Sequence, residues 1–177
     1  MINRSETVAV LVDYQDKILA SMQKREELLK NSLKLVQGLK ILGIPLYKTQ
    51  QYTKGLGMTV DEINEAANLT ADDYFEKKKF SAFDVIRDKI SGKKYVIVCG
   101  IEAHVCVLQT VLELIENGYV PVLMADCIDS RSSENVKIAI KRAEKEGAVI
   151  TSVETLLFEL LGSADAVEFR DISKLIR

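Results

Sequence analysis

One histidine, His104, occurs in the 177 residues, and the three cysteines show no Cys-x-x-Cys spacing. A Ser-His-Asp triad would have to rest on that one imidazole, and a multi-histidine metal site is hard to build. Acid–base chemistry therefore falls to carboxylates or lysine. An odd set of unpatterned cysteines, Cys99, Cys106 and Cys127, fits free thiols in a reducing compartment better than a disulfide frame or a zinc cage. Charge of one sign is also scarce. The formal net charge is −2, without long runs of like charge, so neither nucleic acid nor an anionic membrane finds an electrostatic footprint. The N-terminal apolar run, Val8 to Val12, is far shorter than the roughly 18–20 residues of a spanning helix, and a cytoplasmic protein is expected. No Gly-x-Gly-x-x-Gly follows that run and no P-loop pattern occurs, so the common phosphate cradles are missing.

What is present is core-forming residues: 47% of positions are hydrophobic and 28% charged, enough for one globular domain spanning residues 1–177. Short β-branched runs alternate with stretches of helical period, the pattern of βαβ units. Strands are expected near residues 7–12, 45–49, 74–77, 95–99, 120–124 and 148–151. Helices fill the intervals: 26–42, with leucines at steps of three and four and a stop before Gly43; 104–116, stopping at Asn117-Gly118; and 132–146, opening from a serine cap and closing at Gly147. A shorter helix is expected near 60–67. In the tail, Phe169, Ile172, Leu175 and Ile176 make a small face that would dock on the domain or on a second subunit. The expected fold is α/β, a mostly parallel six-stranded sheet of order 3-2-1-4-5-6 between two helical layers. In that order strands one and four are neighbours, and the ligand crevice lies at their C-terminal ends, where Asp13 closes the first strand and Cys106 follows the fourth.

The run Tyr95-Val-Ile-Val-Cys-Gly-Ile-Glu-Ala-His-Val-Cys106 leads a strand through glycine and sets a thiol in the first turn of the next helix. Helix N-terminal amides there favour thiolate, so a lowered thiol pKa is expected and Cys106 should alkylate before the other cysteines. The alternative is a small buried core residue. Asp13 is a plausible proton acceptor, or else a loop or helix-cap aspartate. Of Lys77, Lys78 and Lys79, a short strand would turn at least one inward, although such runs are usually solvated. Cys99, within a strand, and Cys127, in the loop after one, read as packing residues. Amides beside Cys106 would suit a developing oxyanion.

Four segments in one order, VLVDYQDK, KKKFSAF, VIVCGIEAHVCVLQT and ADCIDSRS, resemble the isochorismatase-like cysteine hydrolase superfamily, which includes nicotinamidases and N-carbamoylsarcosine amidohydrolase. QYTKGLGMTVDE, SRSSEN and FRDISKLIR are more similar still to its isochorismatase domain-containing subfamily. The resemblance implies a catalytic trio of Asp13, Lys77 and Cys106, an oxyanion hole from the amides of Glu102 and Cys106, and a cis peptide at Ile101–Glu102. Nicotinamidases carry an Asp-x-His segment and a further histidine for a metal; TQQYTKGLG stands in the corresponding region here, so no metal and no cofactor are expected. Isochorismatase proper lacks the nucleophilic cysteine, so Cys106 points to amide-type chemistry. Gln51, Tyr52 and His104 are candidate pocket residues. The resemblance further implies a small-molecule substrate and a homo-oligomer.

The leading expectation is thus a metal-independent cysteine hydrolase of a small amide, carbamoyl or related C–N substrate. The alternatives are an interaction protein with a vestigial site and a redox-sensing thiol protein on the same fold.

Overall fold

A computed structural model describes residues 1–177. Strand β1, Thr7–Val12, is buried on both faces, which is why it reads as an unbroken apolar run and not as an alternation. It sends Val8, Val10 and Val12 into one core and Ala9 and Leu11 into the other. The other strands are β2 (Leu46–Gln51), β3 (Phe75–Lys77), β4 (Tyr95–Ile101), β5 (Val120–Asp129) and β6 (Val149–Thr151). They pair in parallel in the order β3-β2-β1-β4-β5-β6, the order expected from the sequence.

On one face lie α2 (Arg25–Ile41), α4 (Asp61–Ala67), α8 (Val153–Leu161) and α9 (Phe169–Ile176), which bury Leu35, Leu39, Ile63, Leu157 and Ile172. On the other lie α5 (Phe83–Ile90), α6 (Leu108–Glu116) and α7 (Ser133–Glu146), burying Ile86, Val111 and Ala139. Each fully buried leucine or isoleucine contributes about 1.5–3 kcal/mol of hydrophobic stabilisation, so the two layers hold the sheet firmly enough to fix what its ends carry. Two single-turn helices, α1 (Asp16–Leu19) and α3 (Thr53–Leu56), follow β1 and β2.

The structure departs from the sequence reading in three places. Strand β5 runs on to Asp129, so Cys127 lies within a strand and not in the loop after it. The extension bulges: Val98 faces Leu123, but Gly100 faces Ile128. The helix expected from residue 104 opens as a π-helical turn, Ala103–Val107, before α6. Ser132 occupies the N-cap position of α7 without a side-chain cap bond, and Ser133 N donates instead to Gln23 Oε1 at 3.1 Å. The tail docks on its own chain, with Ile172 fully buried and α9 packed against α2 and α8.

Gly100 decides how closely the two central strands meet. It pairs with Val12 in the register of β1 and β4, at φ +128°, and a Cβ placed on it would overlap the Val12 carbonyl oxygen. Gly100→Ala is expected to destabilise the fold by about 3–5 kcal/mol, since strained φ and backbone overlap add. Urea unfolding checks this. An unchanged midpoint would mean that β4 can move off β1 at no cost.

Candidate active site

Asp13 leaves the end of β1 in the left-handed region, φ 53°, a conformation that aspartate tolerates better than most residues. The turn buries its carboxylate completely among the C-terminal strand ends. Such a carboxylate needs partners, and two strands supply them. Thr49, on β2, donates from Oγ1 to Asp13 Oδ1 at 2.8 Å. Lys77, closing β3, sets its ammonium 2.6 Å from Asp13 Oδ2 with both side chains shielded from water. That ion pair is a close charge contact.

Lys77 Nζ also donates to Gln51 Oε1 at 2.7 Å and to the Phe80 carbonyl at 2.8 Å. Of the three adjacent lysines, Lys77 closes β3 and is buried, whereas Lys78 and Lys79 lie beyond the strand and are exposed, the latter paired with Asp84. The Gln51 backbone is held in turn by buried Gln15. Its side chain accepts from Gln51 N at 2.6 Å and donates to Gln51 O at 3.1 Å and Gly57 O at 2.7 Å.

Cys106, from β4 by way of the π-helical turn, brings its thiol close enough to Asp13 and Lys77 for both to bear on how it titrates. The structure thus brings Asp13, Lys77 and Cys106 together. The lowered thiol pKa expected from the helix terminus does not hold. Burial, then the Asp13 charge, push Cys106 up to about 12, against the opposing pull of the Lys77 ammonium. In the turn itself the amides of Val105 and Val107 both donate to Glu102 O. Burial likewise raises Asp13, opposed by Lys77, Thr49 and Cys106.

A cleft of about 300 Å³ opens over the thiol. Ile18, Leu56, Phe80 and Val105 form its apolar walls, and Lys17, Ser21, Gln51, Glu102 and Arg131 supply polar groups. Cys106 is 7% exposed, whereas Cys99 and Cys127 are fully buried. Of the candidate pocket residues, Gln51 lines the cleft and Tyr52 and His104 do not. Tyr52 takes a left-handed φ of 38° and its ring lies over Gly55, where a Cβ would collide with it. His104 turns toward α7, with Nδ1 2.9 Å from Ser130 Oγ and Nε2 3.4 Å from Asn135 Nδ2. The peptide Ile101–Glu102 is cis, and Glu102 takes its carboxylate to Arg131 Nε at 2.6 Å.

Sequence reasoning missed Thr49, Gln15, Lys17 and Arg131. Lys17 and Arg131 sit inside the recognised segments VLVDYQDK and ADCIDSRS, which was the available signal; nothing in the apolar pattern of β2 marked Thr49 as a carboxylate ligand.

Residues 7–155 match the family profile described as the isochorismatase domain. A secreted isochorismatase effector of Phytophthora sojae, Isc1, is 41% identical over 149 residues, covering 81% of this chain and 71% of that protein. Isochorismatase domain-containing protein 1 of Salmo salar is 32% identical over 97% of this chain, which spans only 61% of that relative's length. Among solved structures, MAR1 ribonuclease from Caenorhabditis elegans aligns with a TM-score of 0.92 at 36% identity, over 99% of this chain and 91% of that one. The chain belongs to the isochorismatase family.

Proposed function

We propose that the protein is a metal-independent cysteine hydrolase that cleaves a small amide, carbamoyl or related C–N bond through an acyl-enzyme on Cys106. The observation that carries this reading is the buried Asp13–Lys77 pair beside the Cys106 thiol at the floor of a cleft. Membership of the isochorismatase family supports the coarser statement, a hydrolase of that superfamily.

Because the resting thiol is neutral, proton transfer accompanies attack. The Cys106 Sγ–H proton passes to the Asp13 carboxylate as Sγ bonds to the substrate carbonyl carbon. The oxygen that becomes negative is met by the amides of Glu102 and Cys106. Asp13 returns the proton to the leaving nitrogen as the C–N bond breaks, giving an amine and a thioester. Water then attacks the thioester, losing its proton to Asp13. As the intermediate collapses, the C–S bond breaks, the acid departs and Sγ regains the proton. The charge of Lys77 beside Asp13 opposes the effect of burial on that carboxylate.

The C. elegans neighbour is described as a ribonuclease. This chain has a net charge of −2 and a cleft walled by Ile18, Leu56, Phe80 and Val105, features that favour a small, partly apolar substrate over a polyanion. The assembled trio favours hydrolysis over a vestigial or purely redox role. A homo-oligomer in a reducing compartment is part of the proposal, the latter supported by three buried free thiols.

Cys106→Ala is expected to lower hydrolysis of a responsive amide or carbamoyl compound by at least about 10³-fold, and the parent incubated with it should gain a Cys106-bound mass equal to its acyl group. A Cys106→Ala variant as active as the parent would end the proposal.

A second expectation concerns pH. As pH falls, Asp13 protonates and can no longer take the thiol proton, so alkylation of Cys106 by iodoacetamide should fall off. Because burial raises Asp13 above its ordinary 3.8, that acid limb should lie above the usual carboxylate range. Asp13→Asn should abolish the limb, and Cys99 and Cys127 should react only on unfolding. A limb that survives Asp13→Asn, or equal labelling of all three cysteines, would contradict the assignment.

A further inference from the structure

Thr110 lies one helical turn beyond Cys106, on α6, and is fully buried. Its hydroxyl donates to Cys106 O at 2.7 Å, the bond that a helical threonine ordinarily makes to the carbonyl four residues back. Its second bond is not of that local kind. Thr110 Oγ1 accepts from Ala82 N at 2.9 Å, from a segment 28 positions earlier in the chain.

Ala82 closes the short stretch that leaves β3 after Lys77. Two residues before it, the Phe80 carbonyl accepts one hydrogen bond of the Lys77 ammonium, at 2.8 Å. Ser81, between them, is tied forward by accepting from Phe83 N at 3.1 Å. The Lys77 segment and the Cys106 turn therefore meet on one hydroxyl. Within the sheet the same two residues are joined only indirectly, since β3 reaches β4 across β2 and β1. Each intervening strand adds its own freedom, whereas the Thr110 bridge fixes the ammonium's partner directly against the nucleophile's backbone.

Resting on the hydrolase reading above, we infer that Thr110 is a positioning residue: through Ala82 and the Phe80 carbonyl it holds the Lys77 ammonium in register with Asp13 and Cys106. Without the hydroxyl, Ala82 N is left buried and unpaired, the Phe80 carbonyl shifts, and Lys77 loses the third point that aims it at Asp13 Oδ2. Thr110→Val removes both bonds at nearly constant shape, and Thr110→Ser keeps both.

The test is the rate of Cys106 alkylation by iodoacetamide at neutral pH, which needs no substrate and no turnover. Thr110→Val is expected to slow alkylation about tenfold, the scale of a lost buried hydrogen bond, and Thr110→Ser to stay within about threefold of the parent. In a Lys77→Met background, Thr110→Val should add almost nothing, because the residue it positions is gone. A merely structural threonine would lower the melting temperature and leave the rate of folded protein unchanged, or would slow it by the same factor with and without Lys77. Either result overturns the inference, as does a Thr110→Ser variant as slow as Thr110→Val. If Thr110→Val does not fold, Thr110→Ala makes the same comparison. A failed inference leaves Cys106→Ala inactive and the hydrolase reading standing. If Cys106→Ala keeps full hydrolysis, that reading falls while the alkylation comparison can still be read.

Discussion

Two opposite charges held 2.6 Å apart and out of water, Asp13 and Lys77, set the requirements that the rest of the site meets. Such a pair is costly to bury, and it is tolerated only where further hydrogen bonds satisfy both partners. Thr49 takes one aspartate oxygen, and Gln51 and the Phe80 carbonyl take the ammonium. The partners come from β1, β2, β3 and the turn after β3, so this small network can form only when the parallel sheet has assembled in its observed order. The same network lies beside the Cys106 thiol.

That arrangement changes the meaning of Cys106. A thiol at a helix N-terminus suggests a ready thiolate, but here burial withholds water and Asp13 supplies a like charge. On the hydrolase reading proposed above, the proton stays on sulfur until substrate binds, Asp13 and Cys106 share it, and Lys77 keeps the total charge of the buried trio bearable with that proton on either atom. In the same proposal Thr110 ties the Cys106 backbone to the segment that carries the Phe80 carbonyl.

The fold was largely legible because parallel strands buried on both faces leave continuous apolar runs, and because Gly43, Gly118 and Gly147 end helices where the pattern stops. Asp13 and Cys106 could be placed at one crevice from strand order. Lys77 could not be singled out from its two neighbours by spacing, since alternation says that some lysine turns inward but not which; family resemblance made that choice. Side-chain direction was the part least written in the sequence. His104, two residues from Cys106, follows the π-helical turn toward Ser130, and Tyr52 folds back over Gly55, because local backbone geometry overrides proximity in the chain. The bulge that draws Cys127 into β5 was equally silent, as it arises from pairing with β4 and not from any local signal.

The protonation state of Cys106 at rest tests the central claim most directly, and the S–H stretching band in an infrared difference spectrum between the parent and Cys106→Ser reads it. The account predicts a band at neutral pH, displaced by a hydrogen bond to Asp13 and moved back toward the position of a free thiol in Asp13→Asn. A parent spectrum without the band would mean that the sulfur is already a thiolate, and the shared-proton mechanism would be wrong.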